Sequence, residues 1–159
     1  MNGNSLISEN GDLLTGTHAM RNGLLDTLGD EDLAFRIPHN PALGELVRGM
    51  GEVQQSYIDS FRTFTQDFSY RHADASVETS VDAAAEWFRQ LDAVLMDTLA
   101  ALPEQDIQDK TVDRQGFSPS LPVQLQIYVQ AILIFYGKVS IYFRAMQKAL
   151  PAQWEEWIG

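Results

Sequence analysis

The sequence contains no cysteine, and its 11 lysine and arginine residues are outnumbered by 22 aspartate and glutamate residues. Without cysteine the chain has no disulfide, no thiol nucleophile and no thiolate metal ligand, which agrees with a cytoplasmic protein. A net charge of -11 leaves no basic surface for phosphate groups. We therefore expect neither nucleic acid nor an anionic membrane surface as a partner.

Long apolar runs are also absent, since the longest is Ala131 to Tyr136 and a membrane span requires roughly 18 residues. The amino terminus has neither a basic start nor an apolar run, so we expect no signal peptide. The three histidines show no HxxxH, HExxH or ExxH spacing, which argues against a di-iron carboxylate bundle. A chain of 159 residues suits a single domain over residues 1–159 with one solid core.

Helical periodicity is the dominant pattern, and no segment alternates with the period of two that a strand requires. The segment 124–148 is apolar on almost every side, so it must be buried on most sides by other helices or by a partner chain. We predict an all-α fold, a four-helix bundle with a short C-terminal helix. The long helices are predicted at residues 12–28, 40–68, 81–102 and 124–148, with a short helix after Pro151.

The remaining segments are assigned from turn and capping residues. Asn40 and Pro41 are predicted as the N-cap and first residue of the second helix, and Ser80 or Thr79 as the N-cap of the third. We predict that residues 1–11 are flexible and that residues 104–117 form an ordered loop. Trp154 and Trp157 are expected to cover one end of the bundle.

The segments HNPALGELVRGMGEVQQSYIDSF and IYVQAILIFYGKVSIYFRAM resemble the second and fourth helices of the DinB-like superfamily. The acidic GDEDL connector and the final LPAQWEEW extend the resemblance over nearly the whole chain. The resemblance implies a four-helix bundle, which is metal-dependent in many members. Some members are similar to enzymes that transfer groups to or from small cellular thiols.

In the metal-binding members, one histidine on the second helix and two on the fourth bind a divalent ion. The resemblance places Gly49, Ala131 and Phe135 at these three positions. Such a site needs imidazole nitrogens at about 2.1 Å, and none of the three side chains offers a lone pair. The resemblance therefore implies a degenerate site with no metal and no cofactor.

Two interpretations of this region remain open. A glycine inside a helix costs roughly 1 kcal/mol relative to alanine, which suggests that something large packs against Gly49. Close packing around Phe135 predicts no cavity, whereas a pocket for an apolar or aromatic small molecule predicts a cavity near Gly49, Ala131 and Phe135. The candidate pocket residues are His18, Gly49, Glu52, Val53, Tyr57, Tyr128, Ala131 and Phe135.

The polar members of this set have ordinary interpretations as well. His18 lies on an apolar face and is either a pocket residue or a buried histidine bonded to a neighbour. Glu52 could act as a general base if desolvated, although a carboxylate beside an apolar stripe usually reaches water. His39 and His72 lie in polar segments, so we expect both to be solvated.

A symmetric homodimer is predicted from two apolar surfaces. Gly44 and Gly51 are seven residues apart on what we take as the outer face of the second helix, with Val47 and Ile58 nearby. The fourth helix offers spare apolar surface. Its candidate contact residues are Ile127, Ile134 and Ile141.

The function predicted from these patterns is a small-ligand-binding or interaction module with a metal-free, DinB-like site. The alternative is a divergent metal-dependent transferase or hydrolase that acts on small-thiol adducts and takes its ligands from elsewhere in the chain. A third reading is a purely structural dimer with a filled core.

Overall fold

The computed structural model describes residues 3–158, together with the side chains of residues 3–156. This part of the chain contains seven α-helices, one 3-10 helix and no strand, so the predicted all-α class is confirmed. The α-helices are α1 (Ser5–Leu25), α2 (Asp30–Leu33), α3 (Leu43–Thr63), α4 (Val81–Ala100), α5 (Glu104–Asp109), α6 (Leu121–Ala145) and α7 (Ala152–Ile158), and the 3-10 helix covers Ala75–Glu78.

The four long helices α1, α3, α4 and α6 form a bundle. Both α1 and α3 pack against α4 and α6, so the four helices follow one another in a ring. Each helix contributes fully buried apolar side chains to the shared core, for example Leu14, Phe61, Phe88 and Phe143. The burial of these side chains supplies most of the stability of such a bundle.

The amino-terminal segment differs from its prediction, because α1 already begins at Ser5. The side chain of Asn4 accepts a hydrogen bond from the backbone N–H of Ile7 and donates to the carbonyls of Leu99 and Leu102 at 2.7 and 2.8 Å. This cap fixes the start of α1 to the end of α4. Helix α1 therefore starts seven residues before the predicted start at residue 12, and residues 1 and 2 lie outside the described residues.

The second long helix is shorter than predicted at both ends. Ala42, not Asn40, occupies the N-cap position of α3, and the carboxylate of Glu45 accepts its backbone N–H. The helix ends at Thr63 because Phe64 adopts a left-handed conformation with φ of 56°. The predicted start of α4 is correct, since Ser80 caps it by accepting from the N–H of Ala83.

The predicted loop 104–117 contains a short helix, α5, which sequence periodicity missed. The carboxylate of Glu104 accepts hydrogen bonds from the backbone N–H and the hydroxyl of Ser5, and Ile107 is buried in the core. These tertiary contacts hold a segment whose own pattern is weak. Helix α6 starts at Leu121, three residues before the predicted start at residue 124, with Pro122 in its first turn, and it ends three residues before Lys148.

The carboxyl-terminal helix α7 closes one end of the bundle through Trp154. Its indole N–H donates to the carbonyl of Met20 at 2.9 Å, and its ring lies 4.4 Å from that of Tyr136. The expectation for Trp154 is met. The side chain of Trp157 lies outside the described residues.

Two glycines of α3 were predicted to face outward, but both are packed against other parts of the chain. A Cβ atom on Gly44 would lie 1.9 Å from the backbone oxygen of Glu78, and one on Gly51 would lie 2.2 Å from the ring of Trp87. Val47 and Ile58 are buried as well. These residues serve close packing inside one chain, so the part of the dimer prediction that depends on them is wrong.

Helix α6 combines a core face with an exposed apolar face. It is long and apolar enough to cross a membrane by length and composition alone, yet 44% of its most apolar window is buried within the bundle. The core helix of a helical bundle can meet the same criteria of length and composition, so they do not identify α6 as a membrane span. The exposed apolar residues of α6 include Leu133, Ile134 and Ile141, which are 47%, 61% and 58% exposed.

Candidate functional site

An open groove of about 400 Å³ runs between α3 and α6. We call it the α3–α6 groove. Residues spaced by three and four positions line it on each helix, because such residues share one helix face. The lining residues are Pro41, Glu45, Leu46, Gly49, Met50 and Val53 on the α3 side, and Ala131, Ile134, Phe135 and Lys138 on the α6 side.

Four of the eight predicted pocket residues meet in this groove, namely Gly49, Val53, Ala131 and Phe135. Three of them are the positions that the sequence resemblance aligns with metal ligands. Phe135 is only 5% exposed, so its ring belongs to the core and also forms a buried side of the groove. Phe135 is thus packed in the core, but the open space beside it contradicts the expectation that close packing leaves no cavity near these residues.

Gly49 leaves open space in the groove because it has no side chain. A Cβ atom at this position would meet no heavy atom within 4 Å. The expectation that something large packs against Gly49 is wrong. The glycine instead leaves unfilled space on the α3 side of the groove, which a side chain or a ligand can occupy.

His18 and Tyr128 lie outside the groove, in a buried hydrogen-bonded chain with Asp92. The hydroxyl of Tyr128 is 2.8 Å from Nε2 of His18, and Nδ1 of His18 is 3.2 Å from Oδ1 of Asp92. A protonated phenol donates and a carboxylate accepts, so we assign the ring proton to Nδ1. The structure therefore places His18 as a buried histidine bonded to its neighbours.

Arg21 and Gln54 complete this network, which the sequence analysis missed. Arg21 is fully buried and donates to Asp92 at 2.6 Å and to Gln54 at 2.9 Å, while Gln54 donates to Asp92 at 2.8 Å. The guanidinium of Arg21 lies 4.0 Å from the centre of the Phe88 ring. The available signal was the helical register of Arg21, which repeats with Leu14, His18 and Leu25 along the apolar side of α1.

The protonation of this network follows from burial. Burial lowers the pKa of His18 to about 4, outweighing the nearby Asp92 carboxylate, which raises it, and Arg21 lowers it further. Burial also raises the pKa of Tyr128 well above its ordinary value. At neutral pH the imidazole and the phenol are both uncharged, so the ion pair of Arg21 and Asp92 carries the charge of the network.

We expect the free energy of unfolding to fall as the pH drops from about 6.5 to about 4. In this window His18 binds a proton in the unfolded chain but stays neutral in the folded one, so acid favours unfolding. The difference between the two pKa values corresponds to roughly 3 kcal/mol. Urea unfolding of the wild type and of His18→Gln at several pH values measures this; equal pH dependence in both proteins would contradict it.

Glu52 is separated from the groove lining and is already paired. Its carboxylate accepts hydrogen bonds from Arg48 and from the backbone N–H of His72, both at 3.0 Å. Arg48 also pairs with Glu78 at 2.6 Å. Glu52 therefore holds the segment after α3 in place and is not a free base.

The two remaining histidines were both predicted to be solvated. The ring of His72 stacks on that of Trp87 at 3.9 Å, so His72 is half-buried and its prediction is wrong. His39 is exposed, as predicted.

Tyr57 belongs to the aromatic core. Its ring lies 5.3 Å from that of Tyr128 and 5.9 Å from that of Phe68, and the guanidinium of Arg114 lies 5.7 Å from its centre. The side chain is buried. Tyr57 thus separates from the groove residues and packs on the side of α3 that faces the bundle interior.

A divalent metal does not fit the groove. Gly49, Ala131 and Phe135 supply no donor atom, and a transition metal needs nitrogen, sulfur or oxygen ligands. Among the side chains of residues 3–156, no three histidine, aspartate or glutamate residues lie close enough together to hold a metal ion. The alternative of a metal enzyme with ligands from elsewhere has no candidate ligand set among these side chains.

The groove offers apolar walls, the paired carboxylate of Glu45 and the ammonium group of Lys138. Its lining residues include no nucleophile with an adjacent base. Such apolar concave surfaces with few polar groups are typical of small-molecule sites.

No protein-family model matches the chain, and no curated protein is significantly similar to it.

Proposed function

We propose that this protein is a DinB-like helical bundle with a degenerate, metal-free site, and that its α3–α6 groove binds a small apolar or aromatic molecule. One observation carries the proposal. Gly49, Ala131 and Phe135, which the resemblance aligns with three metal ligands on two helices, all line the same groove. The groove thus lies where the resemblance implies a metal centre, and its residues suit an apolar guest.

The size and lining of the groove support this proposal. A volume of about 400 Å³ falls within the roughly 300–1,000 Å³ typical of small-molecule sites. Leu46, Met50, Val53 and Ile134 give it apolar walls, and apolar area removed from water contributes about 25 cal/mol per Å². The open side leaves part of a bound molecule in contact with solvent.

The test uses N-phenyl-1-naphthylamine, a neutral aromatic amine whose fluorescence rises in apolar surroundings. We expect saturable binding to the wild type. Gly49→Leu should weaken it about tenfold or more, because the new side chain fills the open space beside Gly49. The matched control is Gly16→Leu, which also adds a leucine at an unobstructed helical glycine but lies on α1.

Circular dichroism of each variant separates loss of binding from loss of structure. Both leucine variants should unfold at or above the temperature of the wild type, because leucine favours helix over glycine and a Cβ atom at either site meets no heavy atom within 4 Å. Non-saturable binding, or equal affinity in wild type and Gly49→Leu, would reject the groove as the site.

We also propose that the protein is a homodimer through the exposed apolar face of α6. Leu133, Ile134 and Ile141 lie on this face, and exposed apolar patches of this kind often mark contacts between chains. Ile134 also lines the groove, so a second copy seated here would narrow its open side. Light scattering of the binding samples gives the mass; a single chain of 17.8 kDa at all concentrations would refute the dimer.

A further inference from the structure

The charged groups that line the α3–α6 groove are Glu45 and Lys138, and they differ in their partners. The Glu45 carboxylate accepts from the backbone N–H of Ala42 at 2.6 Å and from Arg36 at 2.7 Å, which together lower its pKa. Among the described side chains, Lys138 has no carboxylate within 4 Å. The groove therefore carries one positive charge that the protein does not neutralise.

A second hollow of about 270 Å³ shares Gly49 and Val53 with the groove and is also lined by Glu52, Ser56, Phe68 and Arg71. In this hollow the carboxylate of Glu52 is present, and Arg71 donates to the backbone carbonyls of Phe68 and Tyr70. The larger apolar volume lies on the Lys138 side. An anion with a sizeable apolar body therefore fits Lys138 better than Arg71.

We propose that the groove selects an apolar monoanion, a small aromatic or branched carboxylic or sulfonic acid, whose acid group pairs with Lys138 while its hydrocarbon body lies against Gly49, Val53 and Ala131. This inference rests on the proposed function and adds the chemical class of the ligand. It follows from local charge complementarity, because the groove places a cation with no carboxylate partner beside apolar walls. Lys138 is exposed, so water solvates its ammonium group in the empty groove, and an acid adds an ion pair that a neutral molecule cannot form.

Two probes that share an aromatic skeleton test this selectivity. The anion 8-anilinonaphthalene-1-sulfonate differs from N-phenyl-1-naphthylamine by one sulfonate group. In 0.15 M salt we expect Lys138→Met to weaken binding of the sulfonate about fivefold, as loss of a solvent-accessible ion pair does. Binding of the neutral amine should stay within about twofold, because methionine keeps the apolar stem of lysine.

The matched control is Arg144→Met, which removes one positive charge from the exposed side of α6 outside the groove. It should leave both affinities unchanged. A loss of sulfonate binding in Arg71→Met that exceeds the loss in Lys138→Met would overturn the assignment of the anion. So would equal effects of Lys138→Met and Arg144→Met, or an equal loss of both probes in Lys138→Met.

The two proposals fail in distinguishable ways. If both probes bind, Gly49→Leu blocks both and Lys138→Met changes neither, the groove is a binding site without preference for acids. If neither probe responds to Gly49→Leu, the groove is not the site, and both proposals fall together. Binding of the amine with no saturable binding of the sulfonate rejects the acid selectivity alone.

Discussion

The triple variant Gly49→His/Ala131→His/Phe135→His is expected to bind one divalent zinc or nickel ion with a Kd of about 1 μM or lower, corresponding to about 8 kcal/mol. The wild type should bind neither ion stoichiometrically at these positions, because the three side chains have no donor atoms. Residues 131 and 135 are one helical turn apart on α6, and residue 49 faces them across the groove. Gly49 also has open space for a new side chain.

Isothermal titration and thermal unfolding with and without nickel measure this binding. A ligand at one hundred times its Kd stabilises the folded state by about 2.7 kcal/mol, so the melting temperature should rise with nickel. Phe135 is buried, and its replacement costs stability by itself. The informative quantity is therefore the rise caused by the metal within the same variant.

A control variant carries three histidines without the predicted geometry. Glu86→His/Gln126→His/Gln130→His places two of them one turn apart on the exposed side of α6 and the third on α4, which does not adjoin α6 in the ring. We expect metal binding at least about 100-fold weaker than in the groove variant, because two ligands bind less tightly than three. Equal affinities would contradict the alignment of Gly49, Ala131 and Phe135 with a metal centre.

Asp92→Ala is expected to destabilise the protein by about 4 kcal/mol, the largest effect on stability that we foresee for a single substitution. The change leaves the fully buried guanidinium of Arg21 without its anion and removes acceptors from His18 and Gln54. An unpaired buried charge costs more than the ion pair itself contributes. Urea unfolding followed by circular dichroism gives the free energies.

Two further variants isolate the cause of this loss. Asp97→Ala removes an exposed carboxylate from the same helix and should cost less than about 1 kcal/mol. Arg21→Met/Asp92→Leu removes both charges and should recover at least half of the loss, because apolar side chains then replace the pair. A double variant as unstable as Asp92→Ala would show that the ion pair is not the source of the effect.

The all-α class and the four long helices follow from periodicity alone, because each helix must bury one apolar face. The start of α4 followed from its Ser80 cap, but the other helix ends did not follow from the sequence. Asn4 bonds to carbonyls at the end of α4, Glu104 holds the start of α1, and Phe64 turns left-handed after α3. None of these contacts has a local signature in the sequence.

Helical periodicity also predicted the candidate site only in part. The spacing of Ala131 and Phe135 fixes them on one face of α6, and the family resemblance supplied Gly49 as their counterpart on α3. Apolar periodicity says which face of a helix is buried but not which helix it meets. His18 and Tyr128 were therefore assigned to the pocket, although Asp92 and Arg21 hold them in a separate network.

The groove also depends on the missing side chain of Gly49, and the sequence did not show that this glycine leaves open space. Gly49 was interpreted as a position of tight packing, which describes Gly44 and Gly51 instead. All three are helical glycines within eight residues of α3, and their sequence contexts do not distinguish them. Only the positions of Glu78 and Trp87 show which glycines are packed and which one leaves space.

The most direct test is a crystal structure of the protein grown with N-phenyl-1-naphthylamine. The account predicts electron density for the naphthyl rings between α3 and α6, in contact with Gly49, Ala131 and Phe135. A groove closed by its own side chains, with the amine bound elsewhere or absent, would contradict it.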